Sequence, residues 1–436
     1  MDPLTIAWIA IFAMLIVIAM GIPVAIAMLS VSAVGMYFAA GEIYTLQTLR
    51  TLPYSTASSY AFAAVPMFVT MGIIAGSSGI VSDVYKAANM WLARLRGGLY
   101  MATTCTSAAF GAVNGSTIVG AALFTRIALP EMIRLGYSRA AGAGCIAAAG
   151  TFAAMIPPSI TMVLYGIITN ESIGQILIAG ILPGVLTAVV YLIGIGVLVR
   201  LRPRWAPPPQ ESFSLNERLR SLTTVWPVAV LAFLVIGGIY SGFVSPSAAG
   251  AVGAFGALLI GLGLRRLAGR TLIEGMWEAA AITTVLFLIV IGGLAFSRML
   301  LVTGFVNDLL SMINTLGLEP WVLIIALVVV YLLLGMLMDP ISMMVMTAPI
   351  VHPLVVGLGY DPIWFAIIMV KLIELSCMTP PVGLNLFAVA SASKGLVSIK
   401  DVYIGVTPFV FLEIVVLIIL LAVPEIVLYL PKAMIR

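Results

Sequence analysis

Apolar residues run through this chain in long blocks, with polar residues gathered between them. Residues 4–40 are almost continuously apolar. At 1.5 Å per residue that is too long for one bilayer crossing, and Gly21 and Pro23 are expected to bend it into two short helices. Further blocks lie at 60–80, 140–169, 176–199, 225–241, 248–264, 279–297, 362–391 and 402–429. Together they predict about ten spans. Two more blocks, 99–127 and 321–350, are broken in the middle by glycine and polar residues. Residues 200–224 form a polar linker containing Pro207, Pro208 and Pro209, the best boundary between two halves. Short alternating strands of the kind a membrane barrel needs are absent from the pattern. The fold class expected is an all-α polytopic membrane protein, with two re-entrant hairpins beside the spans.

Composition agrees. Hydrophobic residues make up 62% of the 436 and charged residues 9%, against roughly 45–50% and 25% in soluble domains. The net charge of +4 sits in loops between spans and reports topology rather than nucleic-acid binding. Cys105, Cys145 and Cys377 are odd in number and lie in apolar stretches, which argues against a disulfide framework. His352 is the only histidine, so a histidine metal site or a histidine-dependent triad is not expected. None of Lys86, Lys371, Lys394, Lys400 and Lys432 follows a glycine, which excludes a phosphate-binding ATPase loop. Met1-Asp2-Pro3 brings no basic stretch before the first apolar run, so the start is not read as a signal peptide.

The chain repeats itself. At an offset of 223, Pro130 meets Pro353, Gly136-Tyr137 meets Gly359-Tyr360, and Pro157-Pro158 meets Pro380-Pro381. The same offset lays Asn114-Gly115-Ser116 on Leu337-Met338-Asp339. At 225, Gly79-Ile80-Val81-Ser82-Asp83 resembles Gly304-Phe305-Val306-Asn307-Asp308. The flanking charges differ. Lys86, Arg94, Arg96, Arg126, Arg134 and Arg139 surround the first broken block, whereas Asp308, Glu319 and Asp361 flank the second. By the positive-inside rule the copies face opposite sides of the membrane. Inverted repeats with a site at their interface are the pattern of a secondary transporter. Arg200, Arg202, Arg204, Arg218, Arg220, Arg265, Arg266, Arg270, Lys394 and Lys400 also fall inside, while Arg50, Lys432 and Arg436 are placed outside.

Block 99–127 would measure about 44 Å as one helix, and its basic flanks put both ends on one side. It is read as a hairpin of two half-helices meeting at Asn114-Gly115-Ser116-Thr117. Non-helical backbone at that depth must line a cavity or pack in protein. Its carbonyls and hydroxyls suit a hard cation such as Na⁺, and half-helix N-termini suit an anion. A plain kinked helix is the alternative. Asp339-Pro340 at the second tip reads as a helix cap, alone or together with a role in an ion or substrate site. Each proline pair interrupts an apolar segment beside Gly150-Thr151 or Thr379, and each break is expected to face the hairpin tip of its own repeat. Lys371 and Glu374, three apart, are expected to form a buried ion pair or to carry a proton- or substrate-linked role. His352 is expected in a loop at the outer surface. Residues 82–96 and 306–318 read as amphipathic interfacial helices.

Several motifs together resemble the large membrane subunit of tripartite ATP-independent periplasmic (TRAP) transporters. They are Pro66-Met67-Phe68 with Gly72, Gly111-Ala112-Val113-Asn114-Gly115-Ser116-Thr117, Ile156-Pro157-Pro158-Ser159, and Thr379-Pro380-Pro381-Val382-Gly383-Leu384-Asn385-Leu386-Phe387. Asp339 and the Gly359-Tyr360-Asp361-Pro362 turn also fit, and the likeness spans nearly the whole chain. It departs at Asn114, where serine is more usual, and at Ser376, where glycine is common.

The resemblance implies an elevator-type transporter of the inner membrane that imports a carboxylate, such as a C4-dicarboxylate or sialic acid, with Na⁺. It implies delivery by a periplasmic substrate-binding protein and a small four-helix membrane subunit, here expected as a separate chain. By position, one Na⁺ site would use Asn114, Ser116, Gly150, Thr151 and backbone near Pro157. The other would use Gly335, Asp339, Thr379 and backbone near Pro380, with substrate near Thr117, Ser159 and Asn385. The implied division is 1–59 and 225–278 as scaffold, 60–199 and 279–429 as inverted repeats, 200–224 as cytoplasmic linker and 430–436 as tail. Within the repeats the hairpins fall at 99–127 and 321–350 and the broken helices at 138–170 and 361–391. The alternatives are a stand-alone cation–carboxylate symporter of related fold, a channel, or an intramembrane enzyme. The last lacks any metal-ligand pair or histidine dyad in the sequence.

Overall fold

The computed structural model describes residues 2–209, 213–317 and 319–434. Arg436, the Leu318 end of the predicted stretch 306–318, and residues 210–212 of the linker lie outside them. The N-terminal pair comes first, α1 (Pro3–Ala19) and α2 (Val24–Ala57), joined through Gly21 at φ 87°. The predicted bend is there. Gly41, at φ 82°, ψ 176°, breaks α2 where the apolar run ends, and a second helical segment carrying Glu42, Gln47 and Arg50 continues to Ala57.

The first repeat follows as α3 (Ala64–Ser77), α4 (Ile80–Leu92), α5 (Gly98–Asn114), α6 (Thr117–Arg134), α7 (Arg139–Ala149), α8 (Phe152–Met155) and α9 (Ile160–Thr169). Then come α10 (Ile173–Ala179) and α11 (Ile181–Leu201). Serine side chains start these helices where the pattern turns apolar: Ser138, Ser159 and Ser172 accept backbone N–H bonds at the N-termini of α7, α9 and α10.

The linker is tied down. Arg96 donates to the carbonyls of Pro203 (2.8 Å) and Ala206 (3.2 Å), and the Tyr100 hydroxyl donates to Trp205 O (2.7 Å). Its helix α12 (Leu215–Leu222) starts with a Ser214/Glu217 capping box and packs on α4. Next are α13 (Trp226–Ala232), α14 (Gly238–Tyr240), α15 (Pro246–Gly263) and α16 (Gly269–Val302). An ion pair between Arg266 and Asp83 joins the α15–α16 turn to α4. At 34 residues α16 outruns the predicted 279–297 at both ends. It packs along α2, while α15 packs along α3.

The second repeat contains α17 (Phe305–Thr315), α18 (Pro320–Leu334), α19 (Pro340–Gly357), α20 (Pro362–Met378), α21 (Leu384–Ala392) and α22 (Ile399–Ala422). A final helix, α23 (Glu425–Met434), is separated from α22 at Val423–Pro424, which divides the predicted block 402–429. Proline at the first helical position opens α18, α19 and α20, where its missing N–H costs nothing.

The repeat seen in sequence is a repeat of structure. Gly79 and Gly304 take φ 71° and 70°, and Gly136 and Gly359 take 81° and 89°. Pro157-Pro158 and Pro380-Pro381 are both cis. Shifted by 223, the bounds of α6 coincide with those of α19. With opposite flanking charge, the two copies are inverted in the membrane. Among the described residues the chain is helical throughout. Seven helices are long and apolar enough to span a membrane, or nine if two bent pairs are counted. This is a multi-pass membrane protein.

Candidate functional site

Each hairpin packs against the broken helix of its own repeat, the first at the break itself. In the first, α5 ends at Gly115, whose left-handed φ of 64° turns the chain, and Ser116 is extended before α6 begins. A Cβ on Gly115 would stand 3.0 Å from Pro158 O, and one on Gly150 would stand 3.1 Å from Thr117 O. The tip thus lies against the proline break with only glycine's width between them. Asn114 is buried, and its Nδ2 donates to Ser116 O at 2.9 Å. On its far side it meets α3, where a Cβ on Gly72 would come within 3.0 Å of Asn114 Oδ1. Thr151 donates to Ala148 O (2.7 Å) and Ser107 to Ala149 O (2.5 Å). The structure therefore gathers Asn114, Ser116, Thr117, Gly150 and the Pro157-Pro158 turn, with Thr151 turned into its own helix.

In the second repeat, α18 ends at Gly335, whose missing Cβ makes room for Ser376 of α20; a Cβ there would sit 2.4 Å from Ser376 Cβ. Asp339 caps α19, accepting from Ile341 N (3.1 Å), Ser342 N (3.2 Å) and the Ser342 hydroxyl. Thr379 donates to Leu375 O at 2.5 Å, and Gly383 folds back so that a Cβ would lie 3.0 Å from Thr379 O. The cap at Asp339 is thus present, and Pro380 lies in the turn beyond Thr379.

The three predicted substrate residues are buried but separately engaged. Thr117 opens α6, Ser159 caps α9 through Met162 N (3.3 Å), and Asn385 donates to Ala147 O of the other repeat (3.4 Å). The Asn385 Oδ1 is buried with no partner among the described residues, an acceptor left open. The repeats also exchange arms: α21 packs on α6, and α9 packs on α19. Among the described residues no three His, Cys, Asp or Glu side chains gather as a metal cluster. The oxygens on offer at the tips are carbonyls, amides, hydroxyls and the Asp339 carboxylate, which are ligands of the type hard cations take.

Two charged features differ from expectation. His352 is not in a loop. It lies within α19, with Nδ1 2.7 Å from the Tyr165 hydroxyl and Nε2 3.6 Å from Glu171, because Pro353 sits in the helix instead of ending it. Lys371 and Glu374 do pair, at 2.7 Å and almost wholly buried, but they are half of a larger cluster. Lys371 also bonds Glu413 of α22, and Tyr191 of α11 donates to Glu413 at 2.9 Å. Glu413 was missed although its signal was plain: a carboxylate in the apolar middle of a 24-residue helix needs a partner. Ser107 was unmarked because its importance comes from what approaches it across the fold, whereas Gly72 and Ser376 were marked only through the family resemblance.

Sequence comparison identifies the frame. Residues 11–426 match the family described as the DctM component of the tripartite ATP-independent periplasmic transporter. The C4-dicarboxylate TRAP transporter large permease protein of Pseudomonas aeruginosa is 32% identical over 389 residues, covering 89% of this chain and 90% of that one. The ectoine large permease of Halomonas elongata is 28% identical, covering 94% and 95%. The sialic acid permease of Haemophilus influenzae is 26% identical, covering 98% of this chain and 68% of its own. A crystal structure of the Alcanivorax borkumensis YdaH transporter, described as having an unusual topology, shares the fold at TM-score 0.61 and 15% identity, covering 88% and 89%. The relatives are named as transporter permeases, not enzymes, and this chain belongs to the DctM family as the large membrane subunit of a TRAP transporter.

Proposed function

We propose that this subunit imports a small organic acid across the bacterial inner membrane by Na⁺ symport, with the two hairpins and broken helices moving as one block against a scaffold. The observation that carries this reading is the packing of each hairpin against the broken helix of its own repeat, Gly115 against the Pro157-Pro158 break and Gly335 against Ser376 of α20. One Na⁺ is assigned to Asn114, Ser116, Gly150, Thr151 and the backbone at Pro157. The other is assigned to Gly335, Asp339, Thr379 and the backbone at Pro380. The substrate is assigned to the space between, toward Thr117, Ser159 and Asn385, whose Oδ1 is unpaired. Relatives are named for C4-dicarboxylates, isethionate, ectoine, sialic acid and 2,3-diketo-L-gulonate. An anionic carboxylate or sulfonate is common to these, and it sets the substrate class. A periplasmic binding protein and a small four-helix subunit complete the system, although in the isethionate relative of Oleidesulfovibrio alaskensis the permease is a single DctMQ chain.

The energetics suffice. One charge crossing 100 mV is worth about 2.3 kcal/mol, and a tenfold gradient about 1.4 kcal/mol per ion. Two Na⁺ supply roughly 7.4 kcal/mol and a monoanion costs roughly 2.3, which leaves about 5 for accumulation of several thousand-fold.

The test is uptake of a labelled panel of those five acids into proteoliposomes holding this chain and its small subunit. The binding protein and a Na⁺ gradient are each supplied or withheld. Uptake that needs both supports the proposal. Uptake by this chain alone favours a stand-alone symporter. Ser116→Ala and Asp339→Asn are each expected to raise the Na⁺ concentration for half-maximal uptake at least tenfold, and unchanged Na⁺ dependence in both would remove the assigned ion sites.

A further inference from the structure

Charge opposite to the topology rule stands at the outer end of α16. That helix leaves the inner side beside Arg265, Arg266 and Arg270 and ends on the outer side at Val302. Arg298 is therefore a cation near the outer surface. It has no ion pair or hydrogen bond among the described residues. At the offset of 225 that aligns Gly79 with Gly304, Arg298 falls on Ile73, so the inverted copy carries no charge at the corresponding inner position. A basic residue that the repeat does not require and the topology disfavours needs a local reason.

Arg298 lines a cleft of about 600 Å³. One wall is the end of α2 with Thr56 and Ser59; another is Ser297 and Arg298 of α16; the third is the α9–α10 turn with Asn170 and Glu171. All three walls end on the outer side, since the chain reaches basic inner segments after each of α3 and α11. The Thr56 hydroxyl is buried and unpartnered. Glu171 is the other charged residue of the wall, and its carboxylate is turned to His352 Nε2 at 3.6 Å. The volume lies within the range of small-molecule sites. A free guanidinium offers planar donors of the kind that match a carboxylate or sulfonate.

We infer that this cleft is an outer reception site for the acidic group of the transported substrate, held by Arg298 before the substrate reaches the hairpin tips. It rests on the organic-acid reading above. It adds a second, shallower binding position between the α2–α16 pair and the first repeat, in which Arg298 draws the anion in and Glu171 limits how tightly it is held.

The test reads local charge without needing transport. Ser59→Cys is placed in a Cys105→Ser background, since Cys145 and Cys377 are buried and Cys105 is partly accessible. Thiol modification rates are compared for anionic and cationic methanethiosulfonates of equal size in low-salt buffer. The anionic reagent is expected to react about tenfold faster, with the preference shrinking at high salt. Arg298→Gln should abolish the preference, Arg298→Lys should retain most of it, and Glu171→Gln should increase it. Millimolar substrate from the uptake panel should slow labelling when Arg298 is present and not in Arg298→Gln. Equal rates for the two reagents, or a preference that survives Arg298→Gln, would overturn the inference. Charge-selective labelling in a complex that shows no Na⁺-coupled uptake would instead overturn the transport reading and leave the anion site standing.

Discussion

Gly335 shows how a single missing methyl shapes a hairpin tip. A Cβ there would collide with the Ser376 side chain at 2.4 and 2.6 Å, distances real Cβ atoms do not reach. Gly335→Ala is expected to destabilise the protein by about 1–3 kcal/mol, as overpacking does. Because Ser376 supplies the clash, the double variant with Ser376→Gly should recover most of that loss. The check is a double-mutant cycle on thermal midpoints in detergent, and additive losses would show that the two residues are not in contact. Asp339 was legible in sequence because a charge breaks an apolar run, while Gly335 was named only through the family resemblance. Ser376 was marked only by its departure from the family's usual glycine, since its meaning lies in Gly335, forty-one positions earlier in the chain.

Helices here are fastened by charge as well as by apolar packing. Lys371 sits on α20 between Glu374 of the same helix and Glu413 of α22, and Tyr191 brings in α11. By the repeat offset, Lys371 and Glu374 occupy the places of Ala148 and Thr151 in the first copy, where a hydroxyl-to-carbonyl bond suffices. Lys371→Met leaves two buried carboxylates without their cation and is expected to cost about 3–5 kcal/mol. Lys371→Met combined with Glu413→Gln should be milder than the single change. Thermal midpoints of the purified variants decide it, and a Lys371→Met protein as stable as the parent would show that the cluster fastens nothing. Small residues do the complementary work at the α7–α22 crossing, where a Cβ on Gly405 would fall 1.7 Å from Ala140 O, so the backbones touch. The order of the main apolar helices was readable from apolar runs, as was the break in α2 at Gly41. The ends of α16 and α22 were not, because a run of apolar side chains marks where lipid lies, while a helix stops only where a cap, glycine or proline stops it.

The whole molecule is two inverted copies that complete one another. Repeat, inversion, hairpins and breaks could all be read from an offset and a charge bias. The exchange of arms could not, since periodicity carries no information about which copy an arm leans on. That exchange predicts how the halves behave. Residues 1–206 expressed alone should be degraded, lacking α21 against α6, and co-expression with residues 207–436 should restore an assembly recoverable by a tag on either half. A stable, monodisperse N-terminal half would contradict it. The contact of Asn385 with Ala147 spans 238 residues. At roughly 5–20 residues per second of synthesis, Ala147 leaves the ribosome some 10–50 seconds before its partner exists. During that interval the first hairpin waits in the membrane with one side uncovered, so the nascent chain depends on the insertion machinery to shelter that side until translation ends.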